Sequence, residues 1–306
     1  MRNYIIKRFL LFFPVIIGVM TLVFLIIHLI PGDPVELMLG ENAQISDKEK
    51  LRSELGLNKP IIDQYLTFMI NAFKGDLGRS IYSQKPVFTT ILERFPATLE
   101  LTLCAIFAAL IISLPLGIIA AYRQYSIFDN GSMFLSLLGI SIPNFWLGPL
   151  LIILFSVMLG WLPVAGRGGI SHIILPSITL GTALSSILSR MTRSSMLDSL
   201  KEEYVTTARA KGLSENTVVI KHALSNAMIP IITIVGLQSG ALLSGAIITE
   251  TIFSWPGIGR LTIQAINTRD YPLLQGCILI ISLSYVVVNL ITDILYAYFD
   301  PRIKYE

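Results

Sequence analysis

Covalent chemistry in this chain would have to come from very few side chains. Ser171 and His172 are adjacent, and His222 precedes Ser225 by three residues, so two hydroxyls have an imidazole nearby. A serine nucleophile needs such a base and a third group that orients it. Neither pair sits in a nucleophile-elbow sequence, and neither has an acid supplied by a recognisable motif. The chain contains no His-Glu-x-x-His, no Cys-x-x-Cys and no Gly-x-x-x-x-Gly-Lys-Ser/Thr. Cys104 and Cys277 both fall in apolar stretches and read as small buried hydrophobes, not as a disulfide or a metal pair. His28 has no second His, Cys or acid on its local helix face, which argues against a metal site. No catalytic, cofactor or metal residue is therefore expected. Without a phosphate loop, this chain is not expected to hydrolyse ATP.

The composition points instead to an integral membrane protein. Of the residues 14% are charged and 53% hydrophobic, against about 25% charged in an ordinary soluble domain. Asp, Glu, Lys and Arg are absent from six stretches: Phe9–Ile30, Leu101–Tyr122, Asn130–Gly166, Gly168–Ser189, His222–Thr249 and Tyr271–Thr292. Each is long enough for a helix across a hydrocarbon core of about 30 Å. The expected fold is an all-α integral membrane protein with six transmembrane helices, since open sheet edges cannot face lipid. The third stretch is too long for one span. Its helix is expected near Phe134–Leu159, kinked by Pro143, with Trp161-Leu162-Pro163 as an interfacial turn; a helix plus a re-entrant piece is the alternative. Phe9–Ile30 is too long for a signal-peptide core and reads as a retained span.

Basic residues set the orientation. Arg2, Lys7 and Arg8 precede span 1, Arg123 follows span 2, Arg190 and Arg193 follow span 4, and Arg302 and Lys304 follow span 6. Both termini are expected in the cytoplasm. The expected organisation is residues 1–30 as N-terminus and first span, 31–98 as an outer segment, 99–298 as a core of five spans, and 299–306 as a cytoplasmic tail. A net charge of +3 without a basic tail argues against nucleic-acid binding.

The outer segment should hold short helices. Ser46-Asp47-Lys48-Glu49 looks like a capping box for a helix running to about Leu55 and stopped by Gly56. A second helix starts at Pro60, with Ile61, Tyr65, Phe68, Met69, Ala72 and Phe73 at helical spacing. That apolar face must pack on the outer ends of the spans. A structural lid and a docking surface for a substrate carrier both remain open.

Between spans 4 and 5 lies a charged insert, residues 199–226. Ser199-Leu200-Lys201-Glu202 could be a capping box that opens a helix through Lys211, ended by Gly212 as a C′ glycine. Ser214 could cap a second helix from Glu215 to Asn226. Two short helices joined by glycine could suggest a DNA-binding turn. Short membrane tethers and six basic residues against four acidic ones, counted from Arg190 to Lys221, make a peg for a cytoplasmic partner the better reading.

Within this insert the chain resembles permease subunits of bacterial ATP-binding-cassette importers, and more narrowly the first permease of the dipeptide, oligopeptide and nickel branch. The general importer hallmark, Glu-Ala-Ala, three residues, Gly, nine residues, Ile-x-Leu-Pro, survives only at Ala208, Gly212 and Leu224. The branch's own form is followed closely in Tyr204-Val205-Thr206-Thr207-Ala208-Arg209-Ala210-Lys211-Gly212-Leu213. Further matches run in order along the chain. They include Pro31-Gly32-Asp33-Pro34, Gly75-Asp76-Leu77-Gly78, Pro96-Ala97-Thr98-Leu99-Glu100-Leu101, Trp255-Pro256-Gly257-Ile258-Gly259-Arg260, Arg269-Asp270-Tyr271-Pro272 and Asp300-Pro301-Arg302.

The resemblance implies a division of labour. A homologous second permease completes the path. Two cytoplasmic ATPase subunits bind ATP and Mg, and an extracytoplasmic substrate-binding protein delivers the solute at the inner membrane. The insert is then the coupling-helix pair, with Tyr204, Thr206, Ala208, Arg209, Lys211, Gly212, Leu213 and Leu224 as coupling residues. Di- or oligopeptides are the first expected cargo and nickel, free or chelated, the second. A secondary transporter would more often show internal repeats and charged or broken midplane helices; a membrane scaffold is a third class. Gln238 and Asn289 are candidate path-lining residues, with helix–helix hydrogen bonding as their structural alternative. Asp293 is read as pairing with a base or an exposed amide.

Overall fold

A computed structural model describes residues 2–29, 34–40, 43–54 and 56–299. The side chains of His28 and Asp293, and the residues 300–306, lie outside the described residues. The described chain is helical, in the order α1 (Arg2–Leu29), α2 (Pro34–Leu39), α3 (Ile45–Glu54), α4 (Ile61–Phe73), α5 (Val87–Tyr122), α6 (Ile127–Ser141), α7 (Asn144–Leu151), α8 (Ile170–Leu200), α9 (Glu203–Ala210), α10 (Glu215–Thr217), α11 (Leu224–Ile252), α12 (Ile258–Asn267) and α13 (Tyr271–Phe299).

Four helices are long and apolar enough to cross a bilayer: Val87–Tyr122, Ile170–Leu200, Glu215–Ser244 and Tyr271–Thr292. A fifth span arises if α6 and the segment Asn144–Met158 are taken together. The described residues therefore show four to five long apolar spans, not clearly six. The expected kink at Pro143 is a complete break, with the two halves bent by 107°. Ile142 is extended (φ −87°, ψ 116°), as the residue before proline prefers, and Pro143 itself starts the next helix from ψ 143°. Beyond α7 the helix is π-wound over Ile152–Met158. Trp161 then folds back, its amide donating to Phe155 O at 2.9 Å.

The centre of the bundle is the crossing of α5 and α8, with α11 laid across it. Its core unites Leu101, Ala105 and Ala109 of α5, Leu184 and Leu188 of α8, and Ile231 of α11. Small residues allow this close approach, as expected where lipid gives helices no hydrophobic drive to associate. A Cβ on Gly181 would lie 2.5 Å from Ala105 O. At the far end α12 buries Ile258, Leu261 and Ala265 between the start of α5 and α13, where Cys277 is also buried. Cys104 is only half-buried, and both cysteines are free.

The outer helices differ from expectation in their caps. α3 begins at Ile45, so Ser46 lies inside its first turn; the amides of Asp47 and Lys48 both donate to Gln44 O at 3.1 Å. Its end is as expected, with Gly56 at φ +68° and Leu57 N donating to Arg52 O at 2.9 Å. Pro60 is the residue before α4, not its first. The predicted face of α4 does pack on the spans. Tyr65 and Phe68 contact Phe24 of α1, Tyr65 OH shares a hydrogen bond with Thr21 at 2.8 Å, and Met69 and Ala72 join Met20, Val23 and Leu279. Ile61 and Phe73, assigned to the same face, are instead exposed.

Candidate functional site

The peg between α8 and α11 is built by one helix overrunning its expected end. α8 continues through Leu200, so Ser199 is not an N-cap. Its hydroxyl is buried in the last turn of α8, donates to Ala223 O at 2.8 Å and meets the Tyr204 hydroxyl. The helix α9 starts instead at Glu203, after Glu202, with no side-chain cap. Its exit is the expected one. Gly212 takes φ +76°, its amide donates to Arg209 O at 2.9 Å, and Leu213 N donates to Ala208 O at 3.4 Å. This pair of bonds is the Schellman arrangement, which needs a left-handed residue that glycine supplies without steric cost.

The second insert helix is not separate. Ser214 stands before Glu215, but its hydroxyl pairs with Thr217 Oγ1 at 2.9 Å in place of a backbone amide. From α10 the chain passes through a π-wound stretch, Val218–Ala223, straight into α11, so no helix ends at Asn226. Arg209 spans the turn and grips Glu215, with Nε at 2.9 Å from Oε1.

The underside of the peg is apolar. Val205 and Ala208 of α9 bury against Met196 of α8 and against Val218, Val219 and Ala223. Of the predicted coupling residues, Ala208 is thus buried and Leu224 half-buried. Thr206, Arg209, Lys211 and Gly212 are exposed, with Tyr204 at 37% and Leu213 at 40%. These six form the free face of the peg, while Ala208 and Leu224 hold its seat. Gln238 and Asn289 are half-buried on α11 and α13 and take no hydrogen-bond partner among the described residues. The approach of those two helices is set by their neighbours. A Cβ on Gly236 would strike Thr292 at 2.3 Å, and one on Gly240 would meet Tyr285 at 2.8 Å.

Three buried acids were not singled out in the sequence. Glu250, near the end of α11, is 0% exposed. It accepts from Thr98 Oγ1 at 2.6 Å and from Arg260 N at 3.0 Å, while Thr98 Oγ1 in turn accepts from Ile258 N at 2.8 Å. Trp255 Nε1 donates to Ala97 O at 2.8 Å beside it. The blocks Pro96–Leu101 and Trp255–Arg260 thus form one clasp, in which a Cβ on Gly257 would meet the Glu250 carboxylate at 2.1 Å. Asp270, 1% exposed, accepts from Ser80 Oγ at 2.5 Å and from Ile81 N at 3.2 Å, fixing the loop before α5 to the start of α13. At the end of the bundle bearing the peg, Asp129 takes a two-pronged bond from Arg193, at 2.6 and 2.7 Å, and a third from Tyr125 N at 2.9 Å. Each acid abuts an uncharged stretch in the sequence, which is the signal that could have marked it.

Among the described residues, no group of three or more His, Cys, Asp or Glu could hold a metal ion. Ser171 Oγ and His172 Nδ1 are 3.5 Å apart in the first turn of α8. Helix α9 is tied to α8 through the Tyr204–Ser199 contact and to the stretch leading into α11 through its apolar underside.

Comparison with known proteins gives consistent likenesses. Residues 113–305 match the family described as binding-protein-dependent transport system inner membrane component, and residues 1–102 match the N-terminal part of such membrane components. The glutathione transport system permease protein GsiC of Escherichia coli is 47% identical over 306 residues, covering all of both chains. The dipeptide transport system permease protein DppB of Alkalihalophilus pseudofirmus is 46% identical, again covering all of both. Among solved structures, the MetNI methionine ABC transporter in inward-facing conformations aligns with a TM-score of 0.57 at 15% identity, over 68% of this chain and 95% of that one. An amino acid ABC transporter aligns with a TM-score of 0.51 at 17% identity, over 70% and 94%.

Proposed function

The chain belongs to the family of binding-protein-dependent transport system inner membrane components, non-catalytic permease subunits of ABC importers, and on that premise we propose that it forms half of the path by which di- or oligopeptides enter the cell. The observation that carries the peptide reading is end-to-end similarity to permeases named for glutathione and for dipeptides.

The finer architecture is part of the same proposal. The six spans are α1, α5, the bent pair α6–α7, α8, α11 and α13. The basic residues at the start of α1 and at the ends of α5 and α8 favour a cytoplasmic N-terminus and peg, and Arg302 and Lys304 favour a cytoplasmic C-terminus. A homologous permease supplies the other half of the path, two ATPase subunits bind ATP and Mg, and an extracytoplasmic binding protein delivers the peptide. The exposed face of α9 and its glycine turn, from Tyr204 to Leu213, seats on one ATPase. Ala208 and Leu224 act through the fit of the peg on its own bundle. Closure of the ATPases then moves α9, and the Ser199–Ala223 bond together with the apolar seat passes that motion to α8 and α11. Gln238 and Asn289, whose amides take no partner among the described residues, are proposed to line the path.

Native mass measurement of a gently extracted, transport-active complex tests this assembly. The expected mass is one copy of this chain, one different permease and two ATPases. Full activity from this chain alone would refute it.

A further inference from the structure

α4 presents three distinct sectors around its axis. Tyr65, Phe68, Met69 and Ala72 form the sector packed on α1 and α13. Beside it, Ile62, Leu66, Ile70 and Phe73 form a second apolar sector that no described residue covers, at 68%, 51%, 54% and 63% exposure. The rest of the circumference is polar: Asp63, Thr67, Asn71 and, just past the last turn, Lys74. A helix free in water would have no reason to gather four large apolar side chains on one open sector. A helix lying in a membrane interface has such a division, with its apolar arc in the acyl boundary and its polar arc in water. The neighbourhood agrees. Leu22 of α1, next in sequence to the Thr21 that bonds Tyr65, is itself 65% exposed, so the helix under α4 also carries an open apolar side chain.

We propose that α4 lies along the membrane surface at the end of α1 and α13 remote from the peg, and that Ile62, Leu66, Ile70 and Phe73 rest on lipid acyl chains. The outer segment is then partly a membrane-seated shelf. Its polar arc faces the water from which a delivered solute would arrive. The placement does not depend on the identity of the transported solute, so it stands or falls separately from the peptide reading.

The test uses the assembled transporter in lipid vesicles, in a Cys104→Ala, Cys277→Ala background. Nitroxide labels are placed by Leu66→Cys, Ile70→Cys, Thr67→Cys and Lys74→Cys. Collisions with dissolved oxygen should exceed those with a water-soluble nickel chelate severalfold at positions 66 and 70, and the order should reverse at 67 and 74. Equal access of the chelate to all four positions would show the stripe in water, and exclusion of both reagents from 66 and 70 would show a protein over it; either result overturns the proposal. A carbene precursor carried on a lipid acyl chain, applied to the unaltered complex, gives a second measurement. It should label the peptide 61–73, and absence of label there would also overturn the proposal.

Discussion

Thr98 donates its hydroxyl to Glu250 at 2.6 Å, joining the first third of the chain to the end of α11 across 152 residues. The same hydroxyl accepts the Ile258 amide, so one side chain holds both the acid and the first turn of α12. Thr98→Val keeps the shape and removes both bonds. A buried acceptor and a buried amide are then left unmet, at about 1–3 kcal/mol each. We expect a lower thermal midpoint of the purified complex, and a larger drop for Gly257→Ala, whose new methyl group would collide with the Glu250 carboxylate. An unchanged midpoint in both variants would show that the clasp contributes nothing.

The pair Asp129–Arg193 makes a different prediction. Asp129 is 3% exposed, and removing Arg193 strands its charge. Arg193→Met should destabilise the complex by roughly 3–5 kcal/mol, whereas the double change Asp129→Leu, Arg193→Met should recover most of the loss. A thermal-denaturation double-mutant cycle measures the coupling. Additive losses would remove the pair from the account.

At Gly212 the constraint is the backbone. A Cβ there would meet nothing within 4 Å, yet φ is +76°. Valine in this left-handed region costs about 1–2 kcal/mol, while asparagine tolerates it better. Gly212→Asn should keep ATPase recruitment near normal, and Gly212→Val should lower it at equal membrane abundance. If Asn fails as badly as Val while both chains insert normally, contact at the turn, not its conformation, governs recruitment.

The orientation is open to labelling. Single cysteines at Lys59, Ala165 and Thr268 should react with an impermeant reagent from outside whole cells, and one at Lys211 only after the membrane is opened. Inside-only labelling at Lys59 would reverse the topology.

Much of this was legible because it is local. The Gly212 turn, the Gly56 stop and the break at Pro143 each depend on the backbone preferences of one or two residues. The break is sharper than a kink because Ile142 also leaves the helix. The capping box at Ser199 misled for the same local reason. Its pattern cannot reveal that α8 continues to Leu200, held by a bond from Ser199 to Ala223, 24 residues away. Glu250, Asp270 and Asp129 stayed hidden because an acid at the end of an apolar stretch reads as solvated. Their partners lie 152, 190 and 64 residues distant. The exposed side of α4 escaped because Ile61 and Phe73 fit a helical apolar period whichever apolar sector they belong to.

On the proposed function, this chain carries peptides only when a partner spends ATP. The direct measurement is uptake of radiolabelled glutathione and of a labelled dipeptide into vesicles holding the purified four-subunit complex, with binding protein outside and ATP inside. Uptake of at least one peptide should require both ATP and binding protein, and should fall with Gly212→Val in proportion to lost ATPase recruitment. Equal uptake in vesicles that lack the ATPases, or no uptake of either peptide by a complex whose ATPase is stimulated by some other solute, would contradict the account.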